Sequence, residues 1–130
     1  MNEENVIELN DTNWEQNVEK NNKSIVVMFY SEMCSYCKQM EPHFYEYAKE
    51  FEGKVIFGRL NVMNNPTTAS RYGVMGTPTF KFFCNGKPVQ ELVGAIYPAS
   101  LKKAVEESLI NGPECIEKTT WNAPDITGYA

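Results

Sequence analysis

The residues of this chain whose type and spacing can do chemistry are Cys34 and Cys37, separated by Ser35 and Tyr36. Residues three apart on a helix share a face, with Cβ atoms about 5–6 Å apart. A small adjustment brings two such sulfurs to bonding distance, so the pair can cycle between dithiol and disulfide. At a helix start the first cysteine gains more, because its sulfur faces unpaired backbone N–H groups and the positive end of the helix dipole. Both favour thiolate, and cysteines so placed have pKa values lowered to roughly 3.5–7.5. Cys34 is therefore expected to attack, and Cys37, one turn inside, to resolve the mixed disulfide.

A metal is the rival use of such a pair. A structural zinc site wants four ligands, and the remaining candidates are Cys84, Cys115 and the single His43. Cys84 falls beside a hairpin and Cys115 near the end of the chain, so they form no second pair and no metal is expected. Cys84 reads as a buried or half-buried thiol without chemistry, and His43 as a packing or surface residue. A close pair in a reducing compartment is more often catalytic or metal-binding than a structural staple.

The pair must be positioned by the segments around it. Ser24 to Tyr30 is a continuous apolar run of strand formers ending just before the motif, as in a central strand covered on both faces. After Cys37, residues Met40, Phe44, Tyr47, Ala48 and Phe51 recur at helical spacing. Pro42 should kink that helix and Gly53 end it. Upstream, Val6–Leu9 is a short strand, and Asp11 or Thr12 should cap a helix through Trp14 and Val18. Downstream, 54–62 reads as a buried strand and Asn64-Asn65-Pro66 as the start of a short helix reaching Tyr72. Thr79–Phe83 alternates like a strand, with Phe80, Phe82 and Phe83 as core. Asn85-Gly86 is a two-residue hairpin signal that should turn it back on Val89–Val93. Pro98-Ala99-Ser100 begins a last helix, which Asn111-Gly112-Pro113 stops. Strand, helix, strand, helix, strand, helix, strand, strand, helix is an α/β order, with a mixed sheet and helices on both faces.

Composition sets the bounds. The chain has 130 residues, enough for one domain that needs no metal or disulfide staple. We expect it to occupy residues 1–112, with 113–130, including Cys115 and Trp121, as an irregular and solvated tail. Seventeen acidic against twelve basic side chains give a net charge of -5. Without a dense Lys/Arg run, nucleic-acid binding is not expected. No apolar stretch approaches the roughly 18 residues of a membrane span. The opening Met1-Asn2-Glu3-Glu4-Asn5 lacks the features of a secretory leader, so a cytoplasmic protein is expected.

Several separated motifs together resemble one family. Phe29-Tyr30-Ser31-Glu32-Met33-Cys34-Ser35-Tyr36-Cys37-Lys38-Gln39-Met40-Glu41-Pro42 is similar to the active-site strand, turn and kinked helix of thioredoxins. Tyr72-Gly73-Val74-Met75-Gly76-Thr77-Pro78-Thr79 resembles that family's cis-proline loop, and Asn85-Gly86 and Val93-Gly94 fall where it has a hairpin and a glycine. The resemblance spans about residues 4–111 and implies a thioredoxin fold. It further implies a cis Thr77–Pro78 bond beside the sulfurs, and backbone pairing of an extended client segment at Thr77. The proline would also keep a metal away from the thiols.

Three departures qualify the resemblance. Met28 stands where thioredoxins usually bury an Asp that helps to deprotonate the resolving cysteine. Glu32 is near in sequence but reads as a solvated loop residue. Arg59 stands where the family often has Lys, and is taken to sit at its strand's end. Met33, Ser35 and Tyr36 replace the usual Trp, Gly and Pro around the cysteines, changing the client-facing surface.

The expectation is thus a thiol-disulfide oxidoreductase that reduces disulfides in protein clients. It needs no bound cofactor and is reset by an external reductase. Met33, Tyr36, Met75, Thr77 and Pro78 would contact the client, and the protein would be a monomer. Two other readings use the same groove: a non-catalytic peptide-binding module, and a disulfide oxidase or isomerase.

Overall fold

A computed structural model describes residues 5–110 of the chain. Its elements follow the expected order. They are β1 (Val6–Leu9), a short π-helical turn (Glu15–Glu19), β2 (Ser24–Tyr30), α1 (Ser35–Glu50), β3 (Ile56–Asn61), α2 (Pro66–Arg71), β4 (Thr79–Cys84), β5 (Lys87–Val93) and α3 (Pro98–Ile110). The expected tail 113–130, with Cys115 and Trp121, lies outside the described residues.

The five strands form one mixed sheet in the order β1-β3-β2-β4-β5. β3 runs parallel to β1 and to β2, whereas β4 is antiparallel to both β2 and β5. β2 is therefore central, and its last six residues are all buried. The two-residue period of a strand divides that apolar run between two cores. Val26, Met28 and Tyr30 point to one face, with Phe57, Phe80 and Phe82, and are covered by Met40, Phe44, Tyr47 and Ala48 of α1 and Leu101, Ala104 and Val105 of α3. Ile25, Val27 and Phe29 point to the other, where they pack with Trp14, Val18, Leu60 and Phe83. Helices thus lie on both faces of an α/β sheet, the thioredoxin-like architecture.

Three local features differ from the expectation. The segment after β1 closes on an i→i+5 bond, Lys20 N–H to Glu15 C=O at 2.9 Å, and has no side-chain cap. Asp11 instead caps α2: its Oδ1 accepts from the Thr68 N–H at 2.9 Å and the Thr68 hydroxyl at 2.7 Å. Cys84 is buried, but it is disulfide-bonded rather than an idle thiol. At the β4–β5 hairpin, Asn85 (φ 55°) and Gly86 (φ 80°) both adopt the left-handed conformation that a type I′ turn requires.

Candidate active site

The site grows from the carboxyl end of the central strand. β2 ends at Tyr30, and the chain turns through Ser31–Met33 before α1 starts. Ser31 holds that turn: its hydroxyl accepts from the Met33 N–H at 3.0 Å and its carbonyl from the Cys34 N–H at 3.1 Å. Cys34 is the N-cap of α1, in an extended conformation (φ -98°, ψ 111°). Its Sγ accepts from the Cys37 N–H at 3.1 Å, as a capping oxygen would. One of the otherwise unpaired donors of the first turn is thus directed at this sulfur.

The two sulfurs are bonded to each other, with Cα atoms 5.2 Å apart. Their environments differ. Cys37 is 1% exposed and packs in the core beneath α1 and α3, whereas Cys34 is half-buried at the surface. One sulfur is reachable by a macromolecule and the other is shielded.

Topology fixes what lies alongside. β4 pairs with β2 so that Thr79 faces Phe29, which puts the preceding Thr77–Pro78 next to the end of β2. The Thr77–Pro78 peptide bond is cis. The loop is anchored by the Thr79 hydroxyl, which donates to the Gly76 carbonyl at 2.7 Å. The Gly94 N–H donates to the Pro78 carbonyl at 2.8 Å. Thr77 is half-buried and Pro78 buried. Met33 (84% exposed) and Met75 (95%), on the loops around the motif, and Tyr36 (52%), in the first turn of α1, are large side chains left in solvent. Sequence reasoning missed two more at the same sheet end, Met63 and Val93. Met63 follows the end of β3, parallel to β2, and Val93 pairs with Thr79.

Sequence reasoning also missed a charged cluster under α1. Arg59 is not at the end of a strand: it lies within β3, in register with Met28 on one side and Glu8 on the other. Its Nε donates to Glu8 Oε1 at 2.5 Å, its Nη1 to Glu41 Oε2 at 3.1 Å, and Nη1 also bonds the Tyr45 hydroxyl. Its guanidinium stands 4.8 Å from the centre of the Tyr30 ring, and the Tyr30 hydroxyl donates to Glu8 Oε2 at 2.8 Å. Burial, and then that bond to Glu8, push the Tyr30 hydroxyl well above the usual tyrosine range. The signal was present in the sequence as helical spacing, since Cys37, Glu41 and Tyr45 are four apart. Only the register brings Arg59 and Glu8 to them.

Met28 is fully buried, and Glu32 is exposed on the loop. His43 is half-buried, its ring 6.5 Å from that of Tyr47, away from any catalytic group described above. Among the described residues no group of His, Cys, Asp and Glu could hold a metal. No described helix is long and apolar enough to cross a membrane.

The sequence model of the family "Thioredoxin" matches residues 5–107. A thioredoxin of Buchnera aphidicola is 36% identical over 104 residues, covering 80% of this chain and 96% of that protein. A thioredoxin of Chlorobaculum thiosulfatiphilum is 31% identical over 102 residues, covering 78% of this chain and 94% of its own. The chloroplastic M-type thioredoxin of Pisum sativum is 35% identical over 99 residues, 76% of this chain but 58% of that longer protein.

Proposed function

Because the chain belongs to the thioredoxin family, a family of protein-disulfide oxidoreductases, we propose that Cys34 and Cys37 are the residues through which it reduces protein disulfides. In the reduced protein the Cys34 thiolate attacks one sulfur of a client disulfide. A Cys34–client mixed disulfide forms, and the other client sulfur leaves as a thiolate. Cys37 then loses its proton and attacks Cys34 Sγ, closing the intramolecular disulfide and releasing the second client thiolate. Two electrons pass from the pair to the client, and an external reductase restores them. The cycle uses no bound cofactor.

The observation that carries this reading is the asymmetry of the pair. Cys34 is half-exposed and its sulfur accepts a helix N–H, which favours thiolate, whereas Cys37 is buried behind it. Client chains would pair their backbone with Thr77 beside Pro78, while Met33, Tyr36 and Met75 supply an apolar, adaptable contact surface. The functional domain is residues 1–112, the range that holds the family match and α3, with 113–130 as an appendage. With a net charge of -5 the protein is read as a cytoplasmic monomer that binds neither nucleic acid nor membrane.

Two variants test the assignment in the reduction of a protein disulfide such as insulin. Cys34→Ser abolishes turnover, and Cys37→Ser accumulates a covalent mixed disulfide visible on non-reducing gels. Turnover retained by Cys34→Ser refutes it.

A further inference from the structure

We propose that Glu41 accepts the Cys37 proton when the mixed disulfide is resolved, and that Arg59 is the positioning residue that holds its carboxylate there. The inference rests on the reading of Cys37 as the resolving thiol. Resolution needs a thiolate, yet Cys37 is 1% exposed, and burial in apolar surroundings disfavours the charged form. The core cluster in which it is buried contains no carboxylate or imidazole. A buried thiol that must ionise on every cycle therefore requires a base within reach.

Glu41 is one helical turn beyond Cys37 on α1, so their Cβ atoms are about 6 Å apart on one face. From that spacing a glutamate side chain can reach back toward the thiol, directly or through one water. The carboxylate is held from below by the 3.1 Å bond from Arg59 Nη1 to Oε2. A carboxylate has about four acceptor positions, so this bond leaves capacity for a second donor. Arg59 is itself fixed by Glu8, the Tyr45 hydroxyl and the Tyr30 ring, and Tyr30 packs in the same core cluster as Cys37.

These are the charged and titratable groups that face the pair: Arg59 from β3, Glu8 from β1, Tyr30 from β2 and Tyr45 from α1 itself. β4 contributes Phe80 and Phe82, and from α3 Lys102 is engaged with Glu50, near the other end of α1. Glu32 stands on the loop before Cys34 and is exposed. The step balances as Cys37 thiol plus Glu41 carboxylate plus mixed disulfide, giving the Cys34–Cys37 disulfide, a Glu41 carboxylic acid and the departing thiolate. Glu41 then returns its proton to solvent.

The test uses the full-length protein with the Cys34–Cys37 pair reduced and the buried Cys84 disulfide left intact, and dithiobis(nitrobenzoate). Attack by Cys34 releases one coloured thionitrobenzoate and leaves the other in a mixed disulfide, which Cys37 displaces, so the two steps are read separately. Glu41→Gln keeps the size of the side chain and an oxygen for Arg59. It should leave the first release unchanged and slow the second about 10- to 100-fold at pH 6–7. The deficit should narrow as pH rises above about 8.5, the ordinary thiol value, because hydroxide then takes over from Glu41 as the acceptor of the proton. Glu41→Asp, which restores a carboxylate, should recover part of the rate and the pH dependence, while Glu32→Gln should match the parent. A Glu41→Gln protein whose second release equals the parent's at pH 6–7 overturns the proposal. So does a deficit that is constant with pH, or a Glu32→Gln protein that is slowed equally. A second release in Cys37→Ser would instead overturn the role of Cys37 itself, and this inference with it.

Discussion

Replacing Asp11 by alanine is a sharp test of how α2 is held. Asp11 follows β1, yet its carboxylate serves the first turn of α2, 57 residues on. Oδ1 accepts the backbone N–H of Thr68 at 2.9 Å and the Thr68 hydroxyl at 2.7 Å, while the Asp11 N–H donates to Asn65 Oδ1 at 2.9 Å. Asn65, the residue at the N-cap position, makes no cap bond of its own. The arrangement is a reciprocal cap assembled from two distant segments. Loss of a helix cap costs about 0.5–2 kcal/mol. Thr68 is 2% exposed, so its stranded hydroxyl adds about 1 kcal/mol. Asp11 is itself exposed, and screening places the sum near the low end, about 1–2 kcal/mol for Asp11→Ala. For a domain of this size that corresponds to a fall of roughly 4–8 °C in Tm. Asp11→Asn keeps an acceptor and should lose about half as much.

The pH dependence supplies the refutation. Hydrogen bonding from the Thr68 hydroxyl, and then from its N–H, outweighs desolvation and holds the Asp11 carboxyl below its ordinary value of 3.8. A depressed folded value means that this stabilisation is complete above the unfolded pKa of about 3.9. It is lost as pH falls through the lower folded value. Urea denaturation at pH 7 and again at pH 2–3 should therefore show the parent and Asp11→Ala converging in acid. Equal stability at pH 7, or a gap unchanged at pH 2–3, would refute the reasoning.

Three other substitutions probe the core, the hairpin and the client surface. Phe44→Ala removes a fully buried ring that packs 5.0 Å from Phe57 and 5.9 Å from Phe80, and should cost about 3–5 kcal/mol by urea denaturation. Gly86→Ala sets a Cβ 2.3 Å from the Glu19 carbonyl oxygen at φ +80°, and should lower stability by about 2 kcal/mol or more in thermal melts. Met33→Ser combined with Met75→Ser should raise the KM for a protein disulfide roughly 5- to 30-fold, from about 1 kcal/mol of lost apolar contact per residue. Both methionines are exposed in the free protein, so its melting temperature should not move.

Local chemistry was legible in the sequence. The apolar run of β2 announced a strand with two covered faces, because six consecutive apolar residues, Ile25–Tyr30, cannot alternate into water. Cys34 and Cys37 announced a redox pair at a helix start, because i,i+3 spacing acts within one turn. Asn85-Gly86 announced its hairpin through backbone conformation alone. Tertiary structure decided what depends on residues far apart in the chain. Asp11 looked like the cap of the segment that follows it, and strand placement gave it to α2 instead. Arg59 looked like a strand end until the parallel register set it between Met28 and Glu8, under Glu41. Cys84 looked idle, and the folded protein has it in a disulfide. The difference in exposure between Cys34 and Cys37, on which the proposed chemistry rests, is likewise invisible in a four-residue motif. Propensity, periodicity and capping act over one or two turns, whereas burial and charge pairing are set by which strands lie side by side.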